Sequence, residues 1–143
     1  MFHYEIKQIP NQKKEIYYGN REYKLKLELF DTKDISNKSS NNQVINNKEK
    51  TNKANKRATQ MLFRLNEGNG KALYIIGITD DGNTKGICLK EIFRSFINLN
   101  LIASLIGAVI LKFNIYKGNQ GYIATSRIVL PNYIQDNEDL YDI

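Results

Sequence analysis

Seven residues, Tyr23-Lys-Leu-Lys-Leu-Glu-Leu29, alternate strictly between apolar and polar. Successive side chains of a strand point to opposite faces, so Tyr23, Leu25, Leu27 and Leu29 share one face and Lys24, Lys26 and Glu28 the other. Such a strand cannot stand alone, because its apolar face needs a covering layer. The chain offers two helices for that layer. Ala54, Ala58, Met61, Leu62 and Leu65 fall on one helical stripe, with Lys53, Lys56, Arg57 and Arg64 largely off it and Gly68 where a helix-ending glycine belongs. Leu89 to about Leu105 reads as the second helix, with Ile92, Phe93, Phe96, Ile97 and Leu101 inward and Gly107 ending it.

Three further apolar stretches read as strands, and one short return pairs with the first of them. Ala72 to Thr79 is followed by Asp80-Asp-Gly-Asn83, which is turn chemistry, and Thr84 to Cys88 is expected as the hairpin partner. Val109, Leu111, Phe113 and Ile115 alternate; Lys117-Gly-Asn-Gln-Gly121 turns the chain; Tyr122 to Leu130 follows, and Pro131 stops it. The order β-α-β-β-α-β-β predicts an α+β fold, a mixed or antiparallel sheet with two helices on one face. The expected organisation is an N-terminal extension over residues 1–22, one domain over 23–131 and an acidic tail over 132–143.

Between the first strand and the first helix, residues 34–52 turn to Asn, Ser and Lys. Fixing a backbone costs roughly 1–2 kcal/mol per residue, and so polar a segment has little apolar area to offset that. It is expected to be a basic insertion, disordered in the free chain. From Ser36 to Arg57 it carries Lys38, Lys48, Lys50, Lys53, Lys56 and Arg57 against Glu49 alone.

Charge points the same way. The formal charge is +6, yet the tail holds Asp136, Glu138, Asp139 and Asp142 with no Lys or Arg, which leaves +10 on residues 1–131. A body of that sign favours polyanions. Lys38, Lys48, Lys50, Lys53, Lys56, Arg57 and Arg64 are the candidate RNA contacts. Tyr133, Tyr141 and Ile143 are the candidate protein anchors, the tail's carboxylates facing a partner's Lys or Arg.

Catalytic constellations are thin. His3 is the single histidine, near the chain's start, and no catalytic role is expected of it. Cys88, the single cysteine, reads as a core thiol and cannot form an internal disulfide, which suggests a reducing compartment. One Cys and one His do not make a usual zinc site. Asp80 and Asp81 suit metal binding or acid–base work, but a hairpin turn asks for the same residues and is the stronger reading. Gly68-Asn-Gly-Lys71 lacks the setting of a phosphate loop: its glycines follow a helix, and Lys71 precedes Ala72. No enzyme, cofactor, metal or small-molecule substrate is expected. No apolar run reaches membrane-spanning length, and no signal peptide is evident at Met1-Phe-His-Tyr-Glu-Ile-Lys7, so a cytoplasmic location is expected.

Gly19-Asn-Arg-Glu-Tyr-Lys-Leu-Lys-Leu27, Thr59-Gln-Met-Leu-Phe-Arg-Leu-Asn-Glu-Gly-Asn-Gly-Lys-Ala-Leu-Tyr74 and Ile76-Gly-Ile-Thr-Asp-Asp-Gly-Asn-Thr-Lys-Gly86 resemble the region that precedes the GTPase domain in GTP-binding proteins one and two, relatives of translation elongation factors. Ile9-Pro10 falls where that family has Leu-Pro. The chain departs from the family after Pro131, where the GTPase domain would begin, so GTP hydrolysis does not transfer. The resemblance implies attachment to the translation machinery. A stand-alone domain of this composition also looks like the small dormancy factor class of microsporidian ribosomes, which implies a ribosome partner (rRNA and ribosomal proteins), occlusion of tRNA sites without chemistry, and a monomer when free. The Gly77-x-x-Asp-Asp-Gly82 turn is more distantly similar to Schlafen/AlbA-like nucleic-acid domains. The alternative is a regulatory module that binds a translational GTPase or an RNA-decay partner.

Overall fold

The structure, a computed structural model, describes residues 6–29 and 40–131, with the backbone alone for 40–51. The fold is α+β. Its elements run β1 (Arg21–Lys24), α1 (Ser40–Glu67), β2 (Lys71–Ile76), α2 (Leu89–Leu105), β3 (Val109–Lys117) and β4 (Tyr122–Val129). They form a four-stranded mixed sheet in the order β1-β2-β4-β3, with β1 parallel to β2 and the other pairs antiparallel.

Both helices cover one face. Ala58, Met61 and Leu65 of α1 and Leu99, Ile102 and Ala103 of α2 pack with Ala72, Tyr74 and Ile128 of the sheet. The opposite face carries Tyr23, Ile75, Ile78 and Ile123 against Ile9. Residues 7–20 are therefore part of the domain, and its boundary lies earlier than the expected Tyr23. The amide of Ile9 donates to Lys117 O at 3.0 Å, that of Gln12 to Gly82 O at 2.8 Å and that of Glu15 to Asp80 O at 2.8 Å.

Several expectations need correction. The first strand is short, because the chain leaves the sheet after Lys24. Its next backbone groups are held by side chains of α2: Leu27 N–H donates to Ser95 Oγ at 3.0 Å, and Asn98 Nδ2 donates to Leu27 O at 2.9 Å. Leu27 and Leu29 are buried there while Leu25 is exposed. Thr84–Cys88 is not the hairpin partner of β2. Ile87 makes an isolated bridge to Tyr122, because the Gly86 backbone lies against Gly121 so closely that a Cβ on Gly86 would meet Gly121 C at 2.5 Å. The Asp80–Asn83 turn itself forms, with Thr79 N donating to Asn83 O at 3.0 Å and Gly82 at φ 92°.

The third correction concerns the insertion. Residues 40–52 continue α1 toward its N-terminus rather than forming a structureless loop; residues 34–39 lie outside the described residues. Extending a helix already docked by Ala58, Met61 and Leu65 avoids the nucleation cost, and no Gly or Pro interrupts the run. The helix ends as Asn69 takes the left-handed conformation at φ 55° and Gly70 N donates to Leu65 O at 2.7 Å.

The second helix has the expected bounds but a different inner face. Ile92, Ser95, Asn98, Leu99, Ile102 and Ala103 are buried. Phe93, Ile97 and Leu101, expected inward, stand in solvent at 54%, 59% and 46% exposure. Cys88 caps this helix and is exposed, which corrects the core-thiol reading. Among the described residues, no helix is long and apolar enough to cross a membrane.

Candidate nucleic-acid interface

The basic residues divide into those facing solvent and one that does not. Arg64 follows Met61 by three residues on α1 and lies between the helix and the sheet. It is 2% exposed, and Glu22, its partner on β1, is 1% exposed. Arg64 Nε donates to Glu22 Oε2 at 2.8 Å. Nη1 donates to Tyr18 O at 3.0 Å and Gly19 O at 2.9 Å, and Nη2 to Ile16 O at 3.1 Å. A guanidinium with its fork committed in this way has no face left for a phosphate. Arg64 thus leaves the set of candidate RNA contacts and becomes the clamp of the loop before β1.

Glu15 completes that node. Its carboxylate accepts from the Tyr23 amide and lies 3.9 Å from Arg64 Nη2. Burial pushes its pKa up and the neighbouring Glu22 adds to the rise, outweighing the opposing pull of the Tyr23 amide and Arg64. Gln60 Nε2 donates to the second oxygen of Glu22 at 3.2 Å, and Lys24 Nζ lies 3.5 Å from it.

The other candidates fare differently. Lys53 and Lys56 are exposed on α1. Arg57 is half-buried, its Nε donating to Glu28 O at 3.2 Å. Lys48 and Lys50 lie on the described backbone of α1, whereas Lys38, Tyr133, Tyr141 and Ile143 lie outside the described residues.

Two basic features were missed in the sequence. A cleft of about 480 Å³ is lined by Lys13, Lys14, Arg21, Tyr18 and Asn20 among others. On the sheet face opposite the helices, a smaller concavity of about 170 Å³ is lined by Leu73, Lys112, Asn114, Thr125 and Arg127. Alternation marks those last four strand residues as sharing a face, but nothing local says that the face stays uncovered at that end. For Lys13-Lys14, the adjacent tyrosines Tyr17 and Tyr18 were the available signal.

Among the described residues, no three of His, Cys, Asp and Glu are grouped as a metal site would require. Asp81 is held below the usual carboxylate range by the Thr79 hydroxyl and the Asn83 amide, which is turn chemistry. Gly68-Asn-Gly-Lys71 links α1 to β2, as a helix terminus and not a phosphate cradle.

No family model matches the chain, and no solved structure matches it. GTP-binding protein 2 of Mus musculus and of Homo sapiens are each 42% identical to it over 50 residues. The match takes in 35% of this chain and 8% of the length of those proteins. A stretch of this chain is therefore related in sequence to a small part of GTP-binding protein 2.

Proposed function

We propose that this chain docks on the ribosome through RNA and inhibits translation by occupying tRNA sites of idle ribosomes, without catalysis. The observation that carries the reading is a partition of charge. Glu22 is buried against Arg64, Glu15 turns toward the Tyr23 amide, and Glu28 and Glu91 share Lys26 at 3.4 and 3.7 Å. Lys13, Lys14, Arg21, Lys53 and Lys56 stand in solvent. These five exposed cations give the surface a basic character, and phosphate is the complementary partner. The resemblance to the dormancy factor class supports the ribosome as that partner, and occlusion needs no reacting group.

Sedimentation with ribosomes at two salt concentrations tests this. The chain should pellet with ribosomes at low salt and be released as salt rises. Lys53→Ala with Lys56→Ala should flatten the salt slope by roughly one unit for each phosphate no longer neutralised. Absence of co-sedimentation at low salt ends the reading.

One observation favours a second reading, a protein-binding module acting on a translational GTPase or an RNA-decay partner. Leu89, Phe93, Ile97, Leu101 and Leu105 form an exposed i, i+4 ridge along α2. A groove of about 580 Å³ lies beside its first turn, lined by Phe93, Phe113 and Ile115 among others. Binding through that ridge would persist at high salt.

A further inference from the structure

The last residues of the loop before β1 hold their large side chains outward. Ile16, Tyr17 and Tyr18 are 52%, 85% and 56% exposed. The two rings meet edge to face, with centroids 5.3 Å apart and planes at 86°. The backbone beneath them is fixed: the buried Arg64 guanidinium takes the carbonyls of Ile16, Tyr18 and Gly19, and Glu67 Oε1 accepts from the Gly19 amide at 3.3 Å. Gly19 sits at φ +86° with nothing within 4 Å of a would-be Cβ, so the position calls for glycine on backbone grounds alone. The most buried cation among the described residues therefore holds the backbone that carries two rings into solvent. Beside them lies the cleft lined by Lys13, Lys14 and Arg21, whose one carboxylate, Glu15, is already engaged.

Resting on the RNA reading above, we propose that this loop is a stacking site for unpaired RNA nucleotides: Tyr17 and Tyr18 take a base, and Lys13, Lys14 and Arg21 hold the adjacent phosphates. The partner must be unpaired, because a ring presented from a loop reaches a base face only where the base is splayed out of a duplex. The cations select a polyanion over an apolar protein surface, and rigid presentation reduces the ordering cost of binding.

The test uses the full chain, a labelled single-stranded RNA of about ten nucleotides and a blunt duplex RNA of equal charge, with fluorescence anisotropy as the readout. Tyr17→Ala with Tyr18→Ala should weaken single-strand binding about 5- to 150-fold and leave duplex binding unchanged. Tyr17→Phe with Tyr18→Phe, which keeps both ring faces, should restore it. Lys13→Ala with Lys14→Ala should flatten the single-strand salt slope by about 1.4. An unaltered urea midpoint confirms that each variant folds. Single-strand binding that survives the double alanine change, or that falls equally for duplex, overturns the stacking site while leaving salt-sensitive ribosome binding intact. Failure of the unaltered chain to bind either RNA or ribosomes sinks the broader reading as well. Salt-resistant ribosome binding that depends on the tyrosines assigns the loop to a protein and overturns the proposal.

Discussion

Removing the Arg64 side chain should damage the fold rather than an RNA contact. In Arg64→Ala, Glu22, 1% exposed in the intact fold, loses its charged donor at 2.8 Å and keeps only Gln60 at 3.2 Å and Lys24 at 3.5 Å, both on its other oxygen. Breaking one partner of a buried pair costs about 3–5 kcal/mol. The carbonyls of Ile16, Tyr18 and Gly19 lose their donors too, but these belong to a loop at the surface and can turn to water, so they add little. The expected loss is therefore about 3–5 kcal/mol in urea unfolding, read as a lower midpoint at unchanged slope. Arg64→Lys separates the two roles. A lysine keeps the charge that a phosphate contact needs, but it cannot reach one carboxylate and three carbonyls with a planar fork. It should lose about 2 kcal/mol or more of stability. In Arg64→Met with Glu22→Leu, both charges are gone, and the loss should be smaller than in Arg64→Ala alone. A stability change below about 1 kcal/mol in Arg64→Ala would refute the buried clamp and return Arg64 to the RNA-facing set.

Three further outcomes are expected. Because burial raises the pKa of Glu15 above its ordinary 4.5, the folded chain holds that proton more firmly than the unfolded one. Its contribution to stability is then largest below pH 4.5 and is lost as pH rises through the raised value, the reverse of an ion-paired carboxylate; Glu15→Gln should remove this decline from a series of unfolding midpoints, and identical pH profiles would count against it. Leu99→Ala, at a fully buried position, should cost about 2–5 kcal/mol, while Ile97→Lys on the exposed ridge should stay within about 0.5 kcal/mol; the reverse ranking would restore the inward face read from the sequence. Gly68→Ala places a Cβ 1.9 Å from Lys71 O and 2.6 Å from Asn20 Cβ, so the turn must shift; a loss of about 1–3 kcal/mol is expected, and a neutral midpoint would show that the turn gives way freely.

The period of the hydrophobic residues was enough to read α2 to its ends, β4 and the layer arrangement. It failed where one face carries polar groups with structural work. Ser95 and Asn98 look like surface residues, yet they point inward because the backbone at Leu27, outside any sheet, needs a donor and an acceptor. Accepting them as inner residues rotates the helix and puts Phe93 and Ile97 outside. Alternation in residues 23–29 misled for a related reason. Glu22 faces Arg64 of α1 while Tyr23, the next residue, packs with Ile75 and Ile9 on the opposite face, so β1 is covered on both sides. After Lys24 the chain leaves the sheet, and Leu27 and Leu29 join the core beneath the helices. No local pattern announces that change of side. The Arg64–Glu22 pair links residues 42 apart in sequence, and a cation at the flank of an apolar stripe looks the same whether it snorkels or is buried. The exposure of Lys53 and Lys56 was legible because a lysine in solvent needs no partner to explain it.

The basic surfaces and the apolar ridge leave different marks on one measurement. In a plot of log affinity against log salt, each phosphate contact contributes to the slope, because binding there releases counterions. Apolar contact along Phe93, Ile97 and Leu101 would contribute to the height of the line and hardly to its slope. Substituting lysines on α1 should therefore tilt the line, whereas Ile97→Lys, if the ridge binds a protein, should lower the line across all salt concentrations by burying an unpaired charge in that contact. If the ridge instead faces solvent in the complex, the same substitution only adds one positive charge to a protein drawn to a polyanion, and the line should rise slightly at low salt. The sign of that single shift distinguishes RNA docking alone from docking shared with a protein, and Tyr17→Ala with Tyr18→Ala supplies the control. If the loop stacks bases as proposed, removing its two rings lowers the line without tilting it, and only for targets with unpaired bases.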